Sequence, residues 1–123
     1  MSEANTSTLY GIPNCDSVRQ ARRWLDEHDV AYRFHDFRKD GLDAALLERW
    51  IDRLDDWGEL VNRRGTPWRR LDEADKRELD EAKAVRLLVA HPTAIKRPVL
   101  VRGEHVLVGF EADLWTRLLV ARG

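Results

Sequence analysis

The one thiol in the 123-residue chain is Cys15, set in "GIPNCDSVRQARRWL" between a proline turn and an amphipathic run. A free thiol titrates near ~8.5 and is only a few per cent thiolate at neutral pH, so a nucleophilic role requires something that favours the anion. Part of that is local. The first turn of a helix presents unpaired N–H groups and the positive end of the helix dipole. Lowering a thiol pKa by two units takes about 2.7 kcal/mol of preferential anion stabilisation, whereas the dipole gives only about 0.3–1 kcal/mol. Direct hydrogen bonds or a cation must add the rest. The candidate cations are Arg63, Arg64, Arg69, Arg70, Lys96 and Arg97. Arg97 is the most informative, because it precedes Pro98 at the entry to an expected strand. The alternative is a thiol that only fills space in a core. The flanking Pro13, Asn14 and Asp16 make a core place less natural.

The elements that would position this thiol follow from periodicity. "TLYGI" alternates and stops at Pro13, as a short strand ending in a turn does. From Asp16 the spacing of Val18, Ala21, Trp24 and Leu25 is that of a buried helix stripe. "VAYRFHDF" puts Val30, Tyr32 and Phe34 on one side of a second strand and Arg33 and His35 on the other. A helix between two such strands suits a parallel βαβ unit. Asp43 is placed to cap a helix with the stripe Leu46, Leu47, Trp50, Ile51 and Leu54. The charged middle reads as a helical insertion at about 43–91 with Leu79, Ala82, Leu87 and Leu88 inward. Within it "LVNRRGTPWRRLDE" is an arginine-dense loop. "VLV", the turn "RGEH" and "VLVGF" form a hairpin, and Leu114, Trp115, Leu118 and Leu119 line a closing helix.

The order βαβα, helical insertion, ββα predicts an α/β, thioredoxin-like fold: a mixed four-stranded sheet, βαβ plus ββα, with helices on both faces. One domain over residues 8–120 is expected, after a disordered tail at 1–7. Composition narrows the function. With 21 Lys plus Arg against 22 Asp plus Glu, no global field exists to hold nucleic acid or an acidic membrane. Neither a secretory layout nor an apolar run of membrane length is present, so a cytoplasmic location is expected. A single cysteine excludes an internal dithiol cycle, so any second sulfur must come from another molecule. The four histidines show no ligand spacing with one another or with Cys15, and no metal site is expected.

"TLYGIPNCDSVRQARRWLDEHDVAYRFHDFRKDGL", "RRGTPWRRL", "IKRPVLV" and "VLVGF", in this order and spacing, resemble the ArsC/Spx family, in particular its YffB-type reductase-like members. The resemblance runs from about Thr8 to about Leu119. It implies a thioredoxin-like fold and a reactive cysteine at Cys15, with no tightly bound cofactor and glutathione as co-substrate. Cys15 would form a mixed disulfide with glutathione and act on a small oxidised or anionic substrate. Arg97 and Pro98 match the arginine and proline of the family's Asn-Arg-Pro segment. The insertion arginine matches Arg64 or Arg63, with Arg64 favoured because it directly precedes Gly65. Asn14 and Asp16, and less firmly Pro13, complete the expected binding set. The chain departs from arsenate reductases at Gly11, where they carry histidine, and at Gly109, where they carry a third arginine. Val18 stands where Spx-type regulators often carry a second cysteine. The resemblance therefore leaves two alternatives: a non-catalytic Spx-like protein that binds RNA polymerase, and a weak arsenate reductase.

Overall fold

A computed structural model describes residues 6–120. The chain divides into two compact units, one formed by the stretch up to Asp40 together with that from Arg97 onward, the other by Gly41–Lys96.

The first unit is a four-stranded sheet of order β2-β1-β3-β4, with β1 at Ser7–Gly11, β2 at Tyr32–Asp36, β3 at Val99–Arg102 and β4 at His105–Val108. β1 pairs in parallel with β2 and antiparallel with β3, and β3 runs antiparallel to β4. The expected topology of the sheet is therefore present. The register sets Phe34, Leu9, Leu100 and Leu107 side by side across all four strands. On this row pack Val18, Ala21, Trp24 and Leu25 of helix α1 (Asp16–Glu27) and Trp115 and Leu119 of the last helical segment. That segment is α6 (Ala112–Trp115) running on into a wider turn over Thr116–Val120. The α1 stripe is buried as its spacing predicts. Both helices of this unit lie on the same side of the sheet, because their apolar residues share one core.

β1 starts at Ser7, whose side chain is fully buried. The strand thus reaches one residue into the stretch expected as a disordered tail. Residues 1–5 of that stretch lie outside the described residues. Between β3 and β4 the two-residue turn opens with Gly103 at a φ of 59°, a conformation glycine adopts without steric cost.

The second unit holds α2 (Ala44–Ile51), α3 (Thr66–Arg69), α4 (Glu73–Lys76) and α5 (Glu81–Ala90), with 3-10 turns at Trp57–Leu60 and Pro92–Ala94. The Asp43 side chain accepts from the Leu46 N–H at 2.9 Å, the cap its position predicts. Leu47, Trp50 and Ile51 are buried, with Leu46 and Leu54 half-buried. In α5 the buried residues are Ala84, Val85 and Leu88. Ala82, expected inward, is exposed, and Leu79 and Leu87 are half-buried. Alanine is small and tolerant of either face, so it marks a buried stripe poorly. The unit extends to Lys96 because the stretch before β3 is tied back into it: Val61 bridges Ile95, the Asn62 N–H donates to Ala94, and the Lys96 N–H donates to Leu60.

Gly11, at the end of β1, is fixed by packing. A Cβ there would stand 2.7 Å from Val18 Cγ2. Val18 is β-branched, stiff at χ1 and fully buried, so it has nowhere to yield. Gly11→Ala is expected to lower unfolding stability by about 1–3 kcal/mol. Chemical denaturation reads this directly, and an unchanged midpoint would show that Val18 does yield.

Candidate active site at Cys15

Cys15 occupies the N-cap of α1, with φ and ψ of −145° and 128°, and its sulfur makes no conventional capping hydrogen bond. Its carbonyl accepts the first helical bond, from the Arg19 N–H at 2.9 Å. The side chain is half-buried and packs against the core of the first unit. Its partial burial opposes ionisation. That is outweighed by the Val18 N–H, by the hydrogen bond and charge of the Arg97 guanidinium, and by the Ser17 N–H, so the thiol pKa is lowered. Ser17 and Val18 are the second and third helical residues, whose N–H groups an N-cap side chain normally satisfies. A thiolate at this position therefore has its charge turned toward the two amides that a cap acceptor would engage.

Arg97 reaches the sulfur from the segment leading into β3, and the Arg97–Pro98 peptide is cis. Pro98 is buried, and its carbonyl accepts from the Gly109 N–H at 2.8 Å. The structure thus brings Cys15 and Arg97 together, as the sequence suggests. Asp16 neighbours Cys15, but its carboxylate pairs with Arg19 one turn along the exposed face of α1. Pro13 and Asn14 form the exposed bend between β1 and α1. Arg63 and Arg64 are both exposed and belong to the second unit, in the turn before α3.

The amides that act on the sulfur are those of Ser17 and Val18. The signal that identifies the right pair is the position of the cap. With Cys15 itself as N-cap, the donors in reach of its side chain lie two and three residues downstream.

A profile of the ArsC family matches residues 10–118. The chain belongs to the ArsC family. Among solved structures, this ArsC-family chain is similar to the YFFB protein at 50% identity and a TM-score of 0.89, covering 93% of this chain and 99% of that one. It is also similar to an arsenate reductase (ArsC) related protein from Brucella melitensis, at 41% identity and a TM-score of 0.72, over 94% and 95% of the two chains. A curated relative is the global transcriptional regulator Spx of Streptococcus mutans, 28% identical over 86% of this chain and 77% of that protein. The fold is that of the thioredoxin-like ArsC proteins. Among the described residues no helix is long and apolar enough to cross a membrane.

The Arg97 contact carries a sign that can be checked. Because the pKa of Cys15 is lowered, its thiolate persists below the ordinary thiol range and is lost only as pH falls through the lowered value. A charge-assisted hydrogen bond is worth about 1.5–3 kcal/mol when sheltered, and solvent at a half-buried sulfur holds it to the lower end. Arg97→Gln is therefore expected to cut the thiolate population near neutrality on the order of tenfold. A more basic thiolate is intrinsically more nucleophilic, so alkylation by iodoacetamide should slow by only about threefold there. Above the thiol range the variant should react faster than the parent. Crossing pH–rate profiles are the expected signature, and parallel profiles would remove Arg97 from this role.

Proposed function

We propose that the chain is a cytoplasmic monothiol reductase that uses glutathione, with Cys15 as the nucleophile. The observation that carries this reading is the placement of one half-buried thiol at a helix N-cap, its pKa lowered by two amides and by Arg97. A purely structural cysteine needs none of these. Membership of the ArsC family and the likeness to an arsenate reductase related protein support oxidoreductase chemistry at this position.

In the proposed cycle the Cys15 thiolate attacks the glutathione sulfur of a mixed disulfide. A Cys15–glutathione disulfide forms, and the substrate sulfur leaves as a thiolate that takes up a proton. A second glutathione, as thiolate, attacks the glutathione sulfur of that adduct. Glutathione disulfide is released and the Cys15 thiolate returns, so the second glutathione sulfur is oxidised from thiol to disulfide, the first stays at the disulfide level, and the substrate sulfur is reduced to a thiol. No second cysteine of the chain is required, in keeping with its single thiol. Arg97 steadies the thiolate each time it forms. Asn14 and Asp16, beside the sulfur in sequence, and Pro98 next to Arg97 are the proposed contacts for glutathione. Arg64, or Arg63, is proposed only as a cation for an anionic group. Glutathione is a co-substrate in this scheme and no resident cofactor takes part.

Glutathione-dependent reduction of the mixed disulfide of glutathione and 2-mercaptoethanol, coupled to glutathione reductase, tests the cycle. Saturable turnover above the uncatalysed rate is expected, and its absence would remove the enzymatic reading. The Spx relative favours one other reading, a regulator that binds RNA polymerase without catalysis. Retention of the polymerase by immobilised chain, equally with Cys15 and with Cys15→Ser, would favour that reading.

A further inference from the structure

We propose that the outer edge of β2 accepts an extended acidic peptide segment as a fifth strand, two successive acidic side chains of which meet Arg33 on one face of the sheet and Arg22 on the other. β2 is the end strand of the order β2-β1-β3-β4, and its neighbour in the sheet, among the described residues, is β1 alone. The Phe37 N–H donates to the Gly11 carbonyl of β1 at 2.9 Å. Main-chain groups two residues apart in a strand point the same way. Those of Arg33 and His35 therefore also face β1, and those of Tyr32, Phe34 and Asp36 face away from it. The Asp36 N–H is already taken, by the Asp40 carboxylate at 2.9 Å, which closes that end of the edge. The N–H and carbonyl groups of Tyr32 and Phe34 form the open stretch. Such a row is a template for another strand, whose main-chain hydrogen bonds supply affinity while its side chains supply selection.

The charge beside this stretch selects the occupant. Phe34 lies on the helix side of the sheet, where the half-buried Arg22 guanidinium sits 4.4 Å from its ring centroid and Arg22 Nε donates to the Tyr32 hydroxyl at 3.2 Å. Arg33 points to the opposite side, is exposed, and has no ion-pair partner among the described residues. It borders a cavity of about 390 Å³ lined also by Thr8, Tyr10, His35 and Asp40, which is room for a side chain of an added strand. The carboxylates nearby, Asp36 and Asp40, are turned to backbone N–H groups at the closed end. Consecutive side chains of a strand alternate between faces, so an acidic pair reaches both arginines at once. The same charges disfavour a second copy of the chain. An antiparallel pair of β2 edges centred on Arg33 would set two guanidiniums directly opposite each other, which destabilises the pairing. One centred on Phe34 would set Arg33 against His35, again without an acidic partner.

Amide hydrogen exchange of the full chain, read by NMR with and without about 5 mM of the blocked peptide Thr-Val-Glu-Glu-Val-Thr, tests this, because an amide covered by a ligand exchanges more slowly as occupancy rises. The Tyr32 and Phe34 amides are expected to slow by about threefold or more, while that of Asp36, already bonded to Asp40, is unchanged. Failure of the peptide to slow either amide would overturn the proposal. The peptide Thr-Val-Lys-Lys-Val-Thr is expected to leave all three amides unchanged, and equal slowing by it would overturn the choice of an acidic partner. Arg33→Glu alters an exposed side chain, and it is expected to keep the fold while weakening the acidic peptide about fivefold. An unaltered affinity would remove Arg33 from the contact. Slowing of the Tyr32 and Phe34 amides that grows with the concentration of the chain alone would show that a second copy takes the edge, contrary to the proposal.

Discussion

Cys15→Ser is expected to abolish both the glutathione adduct and turnover, a loss of at least about a thousandfold against the parent chain. Cys15 is the only sulfur nucleophile in the sequence, so no neighbouring thiol can substitute for it. The serine hydroxyl stays protonated at any working pH, and the Arg97 contact cannot generate an alkoxide. The replacement also separates chemistry from folding. Serine is among the best N-cap residues, and its oxygen can accept from the Ser17 or Val18 N–H, the amides that lower the cysteine pKa. The variant should therefore unfold at the same temperature as the parent or slightly above it. Full loss of turnover with unchanged stability is the expected pair of results. Turnover that persists in Cys15→Ser would place the chemistry elsewhere.

Trp115→Ala is expected to cost about 3–5 kcal/mol, the largest stability effect of any single change considered for this chain. The indole is fully buried. It meets Phe110 edge to face with ring centroids 4.9 Å apart and Trp24 at 5.8 Å. Trp24 lies on α1, the helix that Cys15 caps, so α6 and α1 share their aromatic contact behind the thiol. Removing the ring leaves a cavity that these neighbours can fill only in part. The Trp115 Nε1 atom is buried and has no hydrogen-bond partner among the described residues. Trp115→Phe discards that unsatisfied donor while keeping most of the apolar surface, and should cost much less than the alanine variant. Urea midpoints for the two variants measure the difference. Equal losses would mean that the indole N–H is satisfied after all.

Much of this arrangement is legible in the residues before any coordinates. The α1 stripe, the Asp43 cap, the pairing of the hairpin and the apolar side of β2 rest on period and turn chemistry, which act locally and leave a clear mark. Cys15 with Arg97 is legible too, because a lone thiol before a helix and a basic residue before proline are both recognisable. What local pattern does not reveal is set by tertiary structure. Both helices of the first unit lie on one side of the sheet, since a stripe shows that a helix has a buried face and not which side of the sheet it covers. The inward face of α5 falls on Ala84, Val85 and Leu88 and leaves Ala82 exposed. The extension of the second unit to Lys96 depends on bonds from Leu60, Val61 and Asn62, far away in sequence. The constraint on Gly11 is likewise invisible until Val18 is seen against it.

Whether Cys15 is an activated and accessible thiol that exchanges with glutathione can be read from the intact mass of the chain. The full chain is exposed briefly to glutathione disulfide at neutral pH and then to excess reduced glutathione. A single glutathione adduct, located on Cys15, is expected to form quickly and to be fully released in the second step. A chain that stays unmodified under conditions that modify a free cysteine would contradict it.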